Sequence, residues 1–221
     1  MVKKPSTVSH AQRRRPARPA RGVRLREEFR SYARAVILEA GEDVLATQGL
    51  HAARMEEVAQ KARVAVGTIY NLIGDRDALV VEIMRLRHEQ IVALLTTTLE
   101  SVRGHAFRAQ AEACLAALLG YFREHRRFYR MAVESERGPA CAHKRMSEDT
   151  LGKIRAQFRE LVARGVEAGT LRREALDLSA CLLMGMMREV VMLDVETQHP
   201  STPEERAAEV LSIFIDGAGV K

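Results

Sequence analysis

Tryptophan is missing from the chain, cysteine occurs three times, and aromatic residues make up only 5%. So few aromatic side chains argue against base-stacking on single-stranded nucleic acid. The cysteines, Cys114, Cys141 and Cys181, are odd in number and far apart. That excludes a disulfide framework and a C-x-x-C pair, and points to a reducing, cytoplasmic setting. Six prolines and 14 glycines in 221 residues exclude collagen-like and low-complexity classes. Long apolar runs are lacking too: the longest, residues 180–187, is far short of the ~20 residues a membrane span needs. Catalytic signatures are absent. There is no Gly-rich phosphate loop, H-E-x-x-H or G-x-S-x-G, and Glu134 and Glu136 fall on different helix faces. No enzymatic activity and no cofactor are expected. Cys141 and His143 follow Gly138-Pro139 in an expected loop, but two ligands without a third do not make a zinc site, so no metal is expected.

Acidic residues are also missing from the first 26 positions, which hold nine bases: Lys3, Lys4, Arg13, Arg14, Arg15, Arg18, Arg21, Arg24 and Arg26. The net charge of +6 is therefore a +9 arm on a body of −3. Residues 1–25 read as a disordered basic arm suited to nucleic acid, or else as a solubilising or targeting extension. No apolar segment follows the bases, so a secretory signal is not expected. Pro5, Pro16 and Pro19 would break the amphipathic helix of a mitochondrial presequence.

From Arg26 onward the periodicity is helical, with no strand-like alternation, so the expected fold class is all-α with about nine helices. Phe29, Ala33, Val36, Ile37, Ala40, Val44 and Leu45 make one apolar face of a first helix that Gly49 ends. Short helices follow at about 55–62 and 66–72. Asp75 is a fitting N-cap for the next, which reaches about residue 99. Further helices are expected at about 106–124, 126–136, 147–165 and 178–195, and from Pro203 to about residue 215. Residues 1–25 would be the arm, 26–90 a DNA-binding domain and 91–221 an effector-binding and dimerisation domain.

Two short helices joined by a tight turn over residues 54–73, with small Ala59 on the inner face, have the layout of a helix-turn-helix. The residues themselves go further. The run VAVGTIYNLIGDRDAL at 64–79, with ILEAG at 37–41, Gly49-Leu50 and MEEVA at 55–59, resembles the signature of the TetR/AcrR family of bacterial transcriptional regulators. The resemblance covers roughly residues 28–90. Beyond it, the chain matches in length and helical character. The resemblance implies an N-terminal three-helix DNA-binding domain with residues 66–72 as recognition helix. It also implies a helical regulatory domain for a small-molecule effector, and a homodimer joined through the last two helices in a four-helix bundle.

Thr68 and Tyr70 carry hydroxyls that can donate to phosphate oxygens, and Arg76 adds a fork-shaped cation where family members commonly have Lys or Arg. Outside the motif Tyr70 would read as a core aromatic. Ile69 and Ile73 are expected in the core, and Gly67 could permit close backbone approach. Asn71 and the apolar Ala65 and Val66 complete the expected DNA-facing set; apolar groups can pack on thymine methyls. Four positions depart from the family pattern. Arg54 stands where a capping Ser or Thr is usual, at a cost of ~1 kcal/mol. Ala53 replaces a phosphate-contacting Thr, and Ala65 the usual Ser before the recognition helix. Arg63 replaces the turn glycine and must take φ > 0 at a cost of roughly 1 kcal/mol. The motif should lean on charge instead, with Arg54 on a phosphate and the arm, through Arg13, Arg14 and Arg15, on the backbone or in the minor groove.

The helix at about 178–195 is apolar on nearly every side, so it should be buried all round, by dimerisation or within a monomer core. Leu182, Met186 and Val190, with Val210 and Phe214 from the last helix, are the expected dimer contacts. Nine methionines are a mild excess. Met84, Met131, Met184 and Met187, with Tyr121 and Phe128, could line an adaptable effector pocket, or could simply be core. The function this suggests is a dimeric, sequence-specific regulator on double-stranded DNA with an inverted-repeat operator. It would be a cytoplasmic bacterial repressor, nucleoid-associated when bound to DNA and released by an unidentified effector. The alternatives are a non-specific nucleic-acid binder acting through its arm, and a helical enzyme.

Overall fold

The computed structural model describes residues 21–136, 141–197 and 200–218. Nine α-helices and no strand occur among them: α1 (Arg21–Gln48), α2 (Met55–Ala62), α3 (Val66–Leu72), α4 (Arg76–Ser101), α5 (Phe107–Glu124), α6 (Arg126–Glu136), α7 (Cys141–Glu167), α8 (Leu176–Thr197) and α9 (Pro203–Ala218). The all-α expectation holds. Arg13, Arg14 and Arg15 lie outside the described residues.

Helices α1 to α3 pack on one another as a head, and α4 runs from that head into the body. Ile37, Val44 and Leu45 of α1, Val58 of α2, Ile69 of α3 and Leu79 of α4 are all buried at the meeting point. Gly41 lets α1 and α4 come this close: a Cβ there would lie 2.9 Å from a Leu79 methyl. The first turns of α1 differ from expectation. The helix starts at Arg21, and Phe29 is exposed, as are Leu25 and Tyr32, because the head reaches up α1 only as far as Ala33.

The local signals at the element ends behave as their chemistry requires. Gly49 takes φ 88° and closes α1 through its N–H to the Leu45 carbonyl. The Asp75 carboxylate accepts the Ala78 N–H at 2.9 Å and caps α4. Thr202 and Glu205 cap α9 reciprocally: each side chain accepts the other's backbone N–H. Cys141 and His143 are the exception. They belong to the first turn of α7 and not to a loop, because the residues after Pro139 hold no helix breaker.

In the body, α5 sits between α9 and α4, and α7 packs between α4 and α8. Asp194 of α8 is almost fully buried and takes Arg123 of α5 at 2.6 Å and Arg206 of α9 at 3.3 Å. Arg123 also donates to the Ser201 carbonyl at 2.6 Å, which fixes the α8–α9 turn onto α5. Two expected dimer contacts are corrected here. Val210 and Phe214 are buried within the chain, on the face of α9 that also carries Ala207 and Leu211. Helical spacing marks that face as apolar, and this chain's own α5 covers it.

For α8 the monomer-core alternative is corrected. Within one chain the helix buries a single side, through Ser179, Ala180, Leu183, Met187, Val191 and Asp194. Its other side leaves Leu178 61% and Leu182 52% exposed, and Ile213 of α9 is 67% exposed. Met186 and Val190 are half-buried beside them.

Candidate nucleic-acid interface and effector cavity

The turn between α2 and α3 is built on small residues and one strained one. Ala59 is buried, and its carbonyl accepts the Val64 N–H at 3.0 Å, which draws the turn tight against α2. Arg63 takes φ 54° and ψ 43°, the left-handed conformation expected from its place in the turn. Arg54 and Ala65 occupy the N-cap positions of α2 and α3, and neither makes a side-chain cap. These departures weaken the motif locally. Arg63→Gly and Arg54→Ser should each raise head stability by about 1 kcal/mol. For a chain of this size each gain is about 2–4 °C in Tm, checked by thermal unfolding.

Helix α3 is held from beneath by Ile69, which is fully buried. Its other side faces water. Tyr70 is 52% exposed and so is not a core aromatic. Asn71, Ala65 and Gly67 are exposed, and Thr68 and Val66 half-buried. A Cβ on Gly67 would meet nothing within 4 Å, so the close approach it permits is not to this chain. Ile73 is partly buried against the core, as expected. Arg54 is exposed, whereas Ala53 is buried.

Two arginines lock the motif in place. Arg34 of α1 donates to the Leu72 carbonyl at the end of α3, 2.8 Å, and pairs with Glu82 of α4 at 2.6 Å. Burial works against the Glu82 charge, but Arg34 and Arg85 outweigh it and hold the carboxyl below its usual range. Arg76, expected as a phosphate contact, spends one arm of its fork on the His51 carbonyl at 2.9 Å. It therefore ties the start of α4 to the α1–α2 loop, and no local sequence signal marks that job.

Between head and body runs a chain of ions. Glu42 of α1 meets Arg87 of α4 at 2.7 Å, with both side chains largely buried. Burial works against the Arg87 charge; the Glu42 carboxylate overcomes it and holds the guanidinium above its usual range. Arg87 also lies 3.3 Å from the His125 ring, whose pKa falls through burial and through Arg87. Asp43 pairs with Lys61 of α2 and Arg127 of α6, which joins three elements at one carboxylate.

A cavity of about 150 Å³ lies on the body side of this chain of ions. Ile91, Leu118, Phe122, Phe128, Met184 and Met187 supply much of its wall. Of the six expected pocket residues, Phe128, Met184 and Met187 line it. Met84 packs on the core elsewhere, and Met131 borders a separate cleft beside α1. Tyr121 gives its hydroxyl to Gln90 at 2.9 Å, and burial pushes its pKa up to about 12. Sequence reasoning missed His88, a buried ring on the cavity wall. Its position on the inward face of α4 is legible only once the helix is placed.

A helix-turn-helix head on an all-helical body is the architecture of a DNA-binding transcriptional regulator. Residues 37–83 match the family model described as bacterial regulatory proteins, tetR family. Solved structures share the fold along most of the chain. The fatty acid degradation regulator FadR from Bacillus halodurans aligns with TM-score 0.73 at 17% identity, covering 83% of this chain and 98% of that one. FadR from Bacillus subtilis, solved in complex with stearoyl-CoA, aligns with TM-score 0.74 at 15% identity over the same shares. The ketosteroid regulator KstR2 of Mycobacterium tuberculosis aligns with TM-score 0.64 at 18% identity, covering 85% and 95%. No curated protein matches the chain in sequence. Residues 37–83 thus match the DNA-binding segment of the tetR family, and the chain shares its overall fold with solved TetR-family regulators.

Proposed function

We propose that the chain acts as a homodimeric repressor that reads an inverted repeat in double-stranded DNA and lets go when a small molecule fills the cavity. The observation that carries this reading is the outer side of α3. Thr68, Tyr70 and Asn71 offer polar groups above a fully buried Ile69, with Thr68 half-buried and Tyr70 and Asn71 left exposed by the described residues. A short helix braced from below and bare above suits a major groove. The Thr68 and Tyr70 hydroxyls and the Arg54 guanidinium serve phosphates, and Asn71 serves a base edge. Ala65, Val66 and Gly67 make the close apolar approach. Arg76 keeps its charge beside the phosphate path while its fork steadies the loop. The basic residues 1–25, with Arg13, Arg14 and Arg15, track the backbone and make affinity steeply salt-dependent.

The partner is a second copy. Leu178, Leu182 and Ile213 leave an apolar face in water that a monomer has no use for, and Met186 and Val190 extend it. Pairing these faces gives a bundle of four helices, two from each chain. The DNA-binding unit ends at about residue 90, within α4, so one continuous helix spans head and effector domain. Effector binding then shifts the population toward a dimer whose heads no longer fit the operator spacing. The FadR and KstR2 likenesses favour an apolar effector. The protein works in the cytoplasm, on the nucleoid when bound.

The test is selection of duplexes from a random library by the full chain at near-physiological salt, with light scattering on the free protein. The expected result is an enriched inverted repeat and a mass twice the 24.7 kDa of one chain. Salt-sensitive binding with no enriched sequence would favour a non-specific binder acting through its arm.

A further inference from the structure

The cavity described above says more about its occupant than that it is apolar. Its volume, about 150 Å³, is that of a single ring: an apolar protein cavity of that size takes benzene. The wall has the right form for a flat molecule. Phe122 and Phe128 stack nearly parallel, 10° apart with centroids at 6.4 Å, and His88 meets Phe128 edge-on at 6.0 Å.

The polar groups on the wall narrow the chemistry further. The Tyr129 hydroxyl is engaged, donating to the Arg188 carbonyl at 3.2 Å. Arg188 itself sits at the exposed rim. His88 differs from both: it is buried, and neither ring nitrogen has a hydrogen-bond partner among the described residues. Burial alone lowers its pKa, so the ring is neutral near pH 7 and offers one donor and one acceptor. Neither nitrogen is among the fully buried atoms left without a partner, so both stay open to a small molecule, and a ligand that supplies a partner gains a hydrogen bond. An anionic ligand would meet Arg188 only at the exposed rim, where water screens the charge, and would lose its hydration among phenyl and thioether groups.

We propose that the ligand of this cavity is a small uncharged ring compound of the phenol or indole kind, whose single hydrogen-bonding group docks on His88. This rests on the reading of the cavity as the effector site, and it names the chemical class that site takes.

The test titrates the full-length protein with phenol, indole, toluene, benzoate and stearoyl-CoA, reading the His88 ring nitrogens by NMR and operator release by fluorescence anisotropy. Phenol and indole should bind and shift the His88 nitrogens. His88→Phe, which keeps a ring and removes the nitrogens, should weaken phenol at least about tenfold and leave toluene unchanged. His88→Gln, which restores a donor and an acceptor, should keep phenol within about threefold of the unaltered protein. Thermal unfolding checks that both variants are folded, and the His88 shifts in the unaltered protein stand independently of them. Phenol and toluene binding equally, benzoate binding more tightly than phenol, or stearoyl-CoA alone binding would each overturn the proposal. The two readings separate cleanly. Ring compounds that bind at His88 without releasing operator uphold the ligand class and sink effector release. Stearoyl-CoA that releases operator while no ring compound binds does the reverse.

Discussion

Thr68→Ala combined with Tyr70→Ala is expected to lower affinity for the selected operator at least about hundredfold while leaving the chain folded. Both side chains stand on the outer side of α3, and Tyr70 has half its surface in water. Ile69, between them in sequence, carries the packing of α3 and is untouched. Folding stability should therefore change little, since exposed substitutions usually stay within about 0.5 kcal/mol. The DNA loss is large on the proposed reading, in which each hydroxyl donates to a charged oxygen, worth about 1.5–3 kcal/mol, and a second copy repeats both contacts. Binding to unrelated duplexes should survive if, as proposed, the basic residues 1–25 supply it independently of α3. The salt slope of that residual binding should match the unaltered protein's. Operator competition assays at two salt concentrations check both points. Equal operator affinity for the double variant would mean that α3 does not read DNA.

The head was legible in the sequence because its rules are local. Asp75 caps where a short acceptor is needed, Gly49 and Arg63 take positive φ where a turn demands it, and Ala59 is small where two helices meet. What the sequence could not reveal is which surface covers an apolar face. Val210 and Phe214 have the spacing of a dimer helix and the spacing of a core helix alike, and only the position of α5 decides. Leu178 and Leu182 carry the same ambiguity, and the described residues of this chain leave them exposed. The cavity was half legible for a related reason. Its wall draws on residues from α4 to α8, so Met184 and Met187 could be guessed from composition but His88 could not. Arg76 shows a third limit. A family likeness suggests a DNA contact, whereas the geometry gives part of its fork to the His51 carbonyl.

Glu42→Gln is expected to separate ligand binding from its effect on DNA. The cavity and the ion chain are the two sides of one wall. Arg87 faces Glu42 while its neighbour His88 faces the cavity, and Arg127 pairs with Asp43 while its neighbour Phe128 stacks inside. A ligand that displaces α4 or α6 from within therefore moves the arginines that hold α1. Coupling of this kind is worth about 1–3 kcal/mol, a five- to hundredfold change in operator affinity. The Glu42–Arg87 pair should carry most of it, because both side chains are largely buried; Arg127 and Lys61 are mostly exposed, and water weakens their hold on Asp43. Glutamine keeps the acceptor oxygen and removes the charge. Ligand affinity in the free variant should stay within about threefold, since position 42 does not line the cavity. The ratio of operator affinities with and without ligand should fall toward one, by at least about fivefold. Asp43→Asn should lower the same ratio less. By reciprocity, ligand affinity measured on the operator-bound variant should rise by the same factor. An unchanged ratio in Glu42→Gln would show that the heads respond to the cavity by another route, and would turn attention to α1 and α4 packing at Gly41 and Leu79.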